Sequence, residues 1–330
     1  MKNILITGGA GFIGSHLSDV LVKDNNVICV DNFWGGDEEN IADLLSHPNF
    51  VFLRHNINEP LDLEKPPELK KFKIKGLGIQ EIYHLALPTS PKNFLKYRRE
   101  ILDTNSIGTL NALELARRYK SKFLLGSSSV VYGPRSGDAP QVDESSFGSV
   151  DVLSQRACYD EGKRFAEAAA ATYRDLDGLE MKVARLFRVY GPRMPINEGH
   201  MIPDFILAAL SGTPLMIHGD ENFSTSLLYI SDCIQALTDF MDSPKETSVL
   251  NIGAEEDHNI MDVAKMVIEL AQSPSTITFG EPMVFMTPLA LPDIHKAKEA
   301  LQWLPLISLK EGLKKTIEFT KTEKLLVRHY

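Results

Sequence analysis

The sequence has no apolar run approaching the ~20 residues that a membrane-spanning helix needs, so no membrane segment is expected. Cysteine is scarce. Cys29, Cys158 and Cys233 are odd in number and none forms a CxxC pair, which points to a reducing, cytoplasmic setting. A basic excess is also missing: 35 Lys and Arg against 44 Asp and Glu give a net charge of −9. That balance argues against a nucleic-acid binder while leaving room for a small anionic ligand met by local arginines. No internal repeat, low-complexity tract or secretory signal is evident, because the first strand pattern begins almost at once with Asn3-Ile4-Leu5-Ile6-Thr7. No metal site is assigned.

What is present is an ordinary globular composition over 330 residues, 43% hydrophobic and 24% charged, enough for one large domain with a smaller lobe. The first half alternates short β-rich runs with helical patterns. This predicts an α/β fold, a Rossmann-type doubly wound parallel sheet, with a smaller C-terminal α/β substrate lobe. Candidate strands are Asn3–Thr7, Val27–Val30, Phe50–Arg54, Glu81–Ala86, Lys122–Gly126 and Lys182–Phe187. Ile13, Leu17, Val20 and Leu21 share one face of the first helix. Long helices are expected over 92–119 and 155–174, and further helices over 202–210, 230–240, 260–271 and 309–320. Residues 1–188 form the expected nucleotide-binding domain, joined by later segments at about 228–255. Residues 189–330 form mainly the substrate lobe. The lysine-rich stretch 64–78 (Lys65, Lys70, Lys71, Lys73, Lys75) is expected to be a solvated loop.

After the first strand comes Gly8-Gly9-Ala10-Gly11-Phe12-Ile13-Gly14. Glycines at 8, 11 and 14 permit a tight turn, close approach of backbone to a pyrophosphate and close helix–strand packing. The amides of the new helix, at Phe12 and Ile13, then meet phosphate at its positive end. The second strand ends at Asp31, where a carboxylate accepts hydrogen bonds from a ribose and repels a 2′-phosphate; no arginine follows in Asn32-Phe33-Trp34. The expected cofactor is therefore NAD.

Tyr159 and Lys163 form a YxxxK pair, on one helical face by their i, i+4 spacing. An ammonium near a phenol favours the phenolate, so the tyrosine is the candidate base for an alcohol oxidation. Upstream, Lys122–Gly126 runs into Ser127-Ser128-Ser129-Val130-Val131-Tyr132-Gly133. A serine at the C-terminal end of a strand stands at the ligand edge of such a sheet.

With these motifs in register, the chain resembles the extended short-chain dehydrogenase/reductases, the NAD-dependent epimerase/dehydratase family, along nearly its whole length. The nearest branch is the UDP-glucuronate decarboxylases, on Leu53-Arg54-His55-Asn56-Ile57-Asn58-Glu59-Pro60, on Arg156 to Arg164 (RACYDEGKR) and on Tyr190-Gly191-Pro192-Arg193-Met194. The resemblance implies a catalytic triad of Ser128, Tyr159 and Lys163. It implies a cofactor set of Gly8, Gly11, Phe12, Ile13, Gly14, Asp31, Asn32, Asn56, Ile57, Leu85, Ala86, Asn105 and Ser127, with Tyr159 and Lys163. It also implies a homodimer built on the two long helices.

The implied chemistry is oxidation at C4 of a nucleotide-linked sugar to a 4-keto intermediate, followed by decarboxylation (a lyase outcome), epimerisation (an isomerase outcome) or dehydration. Val130 stands where the decarboxylase and dehydratase branches carry Glu, and Thr225 where an arginine is usual. Arg188 and Asp204 replace usual asparagines, and Pro288 to Asp293 lacks the basic residues often found there. Dehydration is therefore disfavoured, and Val130 and Thr225 pull toward a 4-epimerase. Ser90, Arg188, Arg193 and Asp204 are the candidate substrate residues, with Arg188 expected to supply phosphate charge. The alternative of another class is a non-catalytic NAD-binding sensor, against which the intact triad argues.

Overall fold

The computed structural model describes residues 1–135, 141–219, 221–285 and 287–327, with side chains to 322. Its centre is a parallel sheet of seven strands: β1 (Asn3–Thr7), β2 (Asn26–Asp31), β3 (Phe50–Arg54), β4 (Glu81–His84), β5 (Lys122–Ser128), β6 (Met181–Leu186) and β7 (Val249–Ile252). The order is β7-β6-β5-β4-β1-β2-β3, with every neighbouring pair parallel.

Each buried strand divides its side chains between two cores, as a two-residue period demands. Ile4 and Ile6 pack on one face, while Leu5 packs on the other with Ile28, Ile82 and Leu125. Both faces are covered, so β1 is apolar at consecutive positions. Ala112, Ala116, Ala166 and Ala170 let two long helices lie close against the second face. The small side chains of these four alanines thus serve packing within the chain.

Six strands match the sequence expectation closely. The seventh, Val249–Ile252, adds to the edge beside β6 in the register Val249 to Val183 and Ile252 to Leu186. Helices span Ala157–Asp177, Met201–Ser211, Ile230–Asp242, Ile260–Ala271 and Leu309–Val327.

Two expectations need correction. The helix predicted over 92–119 begins only at Arg98, and a π-helical turn at Thr104–Gly108 divides Arg98–Asp103 from Thr109–Tyr119. Pro91 and the turn after it delay the start, and at Gly108 the helix passes close to the Asn58 and Ile57 side chains, which a β-carbon there would meet at 2.9 and 3.1 Å. The lysine-rich stretch is a 3-10 turn, Pro67–Phe72, followed by a short helix, Ile74–Leu77. Leu69, Phe72 and Ile74 are buried beneath exposed lysines, so apolar anchors order what charge alone suggested was a loop.

A smaller α/β unit holds the helices Met201–Ser211 and Ile260–Ala271 and a parallel strand pair, Leu215–His218 with Ile277–Gly280. Among the described residues no helix is long and apolar enough to cross a membrane.

Candidate active site

A cleft opens along the C-terminal ends of the sheet strands, where chain order reverses between β1 and β4. At one end lies the glycine turn. Gly8 has φ +73°, and a β-carbon there would stand 2.7 Å from Ala86 Cα. One on Gly14 would fall on the Gly8 carbonyl. Only glycine fits these positions, and the backbone it exposes is what a pyrophosphate needs.

The Asp31 carboxylate accepts from the Ala10 amide (3.0 Å) and the Phe33 amide (2.8 Å), so it is fixed at the cleft edge. Burial raises its pKa, and these amides oppose the shift. Gly11, Phe12, Ile13, Asn32, Asn56, Ile57, Leu85, Ala86 and Ser127 also line the cleft. Asn105 does not. It is buried against the catalytic helix, donating to the Cys158 carbonyl at 3.4 Å.

The other end is built by β5 and the helix Ala157–Asp177. Ser128 ends β5, and Tyr159 and Lys163 meet it from the first two turns of the helix. All three line the cleft. Burial raises the Tyr159 pKa; a hydrogen bond with the Ser128 side chain lowers it, as do the charges of Arg156 and Arg188. Lys163 donates to the Gly126 carbonyl at 2.6 Å, and burial depresses its pKa to about 8. The sequence suggested Lys163 as the cation acting on the phenol. Its ammonium bonds the Gly126 carbonyl, and the charges of Arg156 and Arg188 also bear on the Tyr159 phenol.

The remaining candidates separate. Arg188 lines the cleft near Tyr159, donates to the Thr287 carbonyl (3.0 Å) and lies over Phe223. Burial lowers its pKa to about 10. Arg193 pairs with Asp19 at 2.6 Å, away from the cleft lining. Ser90 donates to Glu198. Asp204 accepts from the amides of Asn197 (2.7 Å) and Gly199 (3.0 Å) and faces a second, smaller cavity with Met201, Met216 and Met283. Thr225 is buried outside the cleft lining.

Sequence reasoning assigned no role to Arg156, Phe94 or Phe285. Phe94 and Phe285 pack on the Tyr159 ring at centroid distances of 6.4 and 5.7 Å, and Val130 joins the same buried cluster. Arg156 sits one helical turn before Tyr159, and that spacing was the one available signal. The aromatic residues come from distant segments and left none.

A glycine cradle, a fixed carboxylate and a Ser–Tyr–Lys set in one cleft invite comparison with known proteins. The model of the NAD dependent epimerase/dehydratase family matches residues 4–253. The chain belongs to this family. It is 40% identical over 98% of its length to UDP-glucuronic acid decarboxylase 1 of Xenopus tropicalis, covering 73% of that protein. It is 40% identical over 94% of its length to UDP-glucuronic acid decarboxylase 6 of Arabidopsis thaliana, covering 86% of it. Among solved structures, UDP-glucuronic acid 4-epimerase from Bacillus cereus, in complex with UDP-glucuronic acid and NAD, aligns with a TM-score of 0.84 and 30% identity, over 97% of this chain and 99% of that one. The family is NAD-dependent, NAD is the cofactor, and the glycine cradle and Asp31 fit it. The chain is an enzyme of this family that modifies nucleotide sugars.

Proposed function

We propose that the enzyme oxidises the C4 carbinol of a nucleotide-linked sugar to a 4-keto intermediate. The observation that carries this reading is that Ser128, Tyr159 and Lys163 line one cleft with the glycine cradle. Tyr159 accepts the hydroxyl proton, Ser128 orients the hydroxyl, and Lys163 ties the catalytic helix to β5. Bound NAD supplies the hydride acceptor and, later, the donor. The cofactor contacts come from the cleft-lining residues above, within residues 1–188, and the sugar is held by the lobe of residues 189–330.

Two outcomes follow from a 4-ketone. A 6-carboxylate lies β to it and leaves as carbon dioxide; the named decarboxylase relatives favour this. Return of hydride to the opposite face of the sugar is 4-epimerisation. Val130 favours the second, since a buried valine beside Tyr159 neither accepts a proton nor bonds a hydroxyl. We also propose a homodimer in the cytoplasm. Leu102, Ile107, Leu110 and Phe165 are exposed on the two long helices and offer an apolar face to a second copy. The three free thiols suit a reducing compartment.

The test is incubation of the NAD-loaded enzyme with a panel of nucleotide sugars, following product mass and stereochemistry. Tyr159→Phe is expected to abolish conversion while NAD still binds. If no nucleotide sugar is converted by the wild type, the reading fails and an NAD-binding sensor takes its place.

A further inference from the structure

β5 and β6 lie side by side, and their register sets Ser128 opposite Leu186 at the C-terminal edge of the sheet. Arg188 follows Leu186 by two residues, so it leaves the sheet at the same edge, beside the serine of the catalytic set. Leu186, Arg188, Ser128 and Tyr159 all line the cleft. The Arg188 guanidinium lies over the Phe223 ring at 5.4 Å and donates to the Thr287 carbonyl at 3.0 Å, which holds its head in place. Burial lowers its pKa only to about 10, so it is a cation at neutral pH. That charge bears on both the Tyr159 phenol and the His200 imidazole.

The charge of Arg156 is matched by Asp160, through bonds of 3.0 and 2.8 Å. His200, whose pKa burial lowers to about 4, is neutral at pH 7. Glu198 accepts from Ser90 and Asn93 and stands outside the cleft lining. Among the described residues no Asp or Glu lines this end of the cleft; the cleft's one acid, Asp31, is at the glycine turn. The substrate end is therefore positive, and Arg188 puts that charge beside the group that takes the carbinol proton. In a pyranose the carbon bearing C6 adjoins C4, whereas the diphosphate hangs from C1 across the ring. A cation beside the C4 carbinol is thus nearer a C6 substituent than the diphosphate. A carboxylate there would meet a planar guanidinium in charge-assisted hydrogen bonds, which a neutral hydroxymethyl group matches only weakly.

We propose that Arg188 is a specificity-determining residue that receives the C6 carboxylate of a nucleotide-linked uronic acid beside the reacting carbinol. This rests on the 4-keto reading above and narrows its substrate; it holds whether the carboxylate is then kept or lost.

The experiment is calorimetric binding of UDP-glucuronate, UDP-glucose and UDP to the NAD-loaded Tyr159→Phe enzyme, in which no ligand is consumed. UDP-glucuronate is expected to bind about ten-fold more tightly than UDP-glucose. Adding Arg188→Gln is expected to shrink that ratio below about three-fold while UDP, UDP-glucose and NAD affinities stay within about two-fold. Arg188→Lys, which keeps the charge without the planar fork, is expected to retain more of the ratio than Arg188→Gln. Equal affinity for the two sugars before Arg188 is changed, or a ratio unmoved by Arg188→Gln, overturns the proposal. So does an equal weakening of all three ligands, UDP included, which assigns Arg188 to the diphosphate. Failure of the wider reading overturns it with a different signature: none of the three ligands binds although NAD does, and the wild type converts neither sugar.

Discussion

The ammonium of Lys163 donates to the carbonyl of Gly126 at 2.6 Å, joining the catalytic helix to the strand that delivers Ser128. Burial of this ammonium costs the fold stability, because it lowers the lysine pKa to about 8. The unfolded chain, with the ordinary value near 10.5, binds the proton more tightly, so the penalty is full below pH 8. It is relieved as pH rises from 8 to 10.5.

Lys163→Met is therefore expected to abolish sugar conversion and yet stabilise the fold at neutral pH. Removing the charge is worth about 3 kcal/mol, offset by about 1 kcal/mol for the lost hydrogen bond. Urea unfolding at pH 7 measures the difference. A Lys163→Met protein no more stable than the wild type contradicts the assignment.

His84 gives a pH dependence of known sign. It is fully enclosed between the hydroxyls of Thr7 (2.7 Å) and Thr109 (3.3 Å), and burial lowers its pKa to about 3. The unfolded chain takes up a proton near pH 6.5 and the folded one does not, so stability is level above 6.5 and declines as pH falls toward 3. The loss from this group is about 2 kcal/mol at pH 5. His200, lowered to about 4 by burial, adds to the same decline. Thermal melts of wild type and His84→Gln between pH 4 and 8 should show a shallower acid slope in the variant.

Gly14→Ala tests the cofactor cradle. Its added methyl meets backbone of Gly8 and Gly9, which cannot rotate away. The expected cost is at least ~2 kcal/mol of stability, with a loss of NAD affinity of ten-fold or more by calorimetry. Unchanged NAD binding would place the pyrophosphate elsewhere.

Glu167 lies one turn beyond Lys163. Its carboxylate takes a two-pronged contact from Arg185, 2.7 Å at its shortest, and a bond from Ser127 at 2.5 Å. Both charged side chains are largely enclosed, at 13% and 15% exposure. Glu167→Ala strands the Arg185 charge and should cost about 3–5 kcal/mol in denaturant unfolding. Replacing both by Met and Leu should recover most of that loss.

Local signals made the cofactor end legible. The glycine spacing, the strand before it and Asp31 at the end of the next strand are all set within a short stretch of chain, where sequence spacing translates directly into geometry. The same holds for Tyr159 and Lys163, whose four-residue separation fixes a shared helical face. The substrate end was less readable. Arg188, expected to serve phosphates, lines the cleft near Tyr159 and donates to the Thr287 carbonyl. Arg193 and Asp204 satisfy an aspartate and two loop amides, respectively.

By itself the sequence determined the alternation of strands and helices, the NAD cradle and the shared helical face of Tyr159 and Lys163, because each depends on neighbours within a few residues or one turn. Only the tertiary structure decided which cations reach Tyr159 and what surrounds its ring. Those depend on Phe94, Arg188 and Phe285 converging from positions far apart in the chain, and such convergence leaves no periodic trace in the sequence.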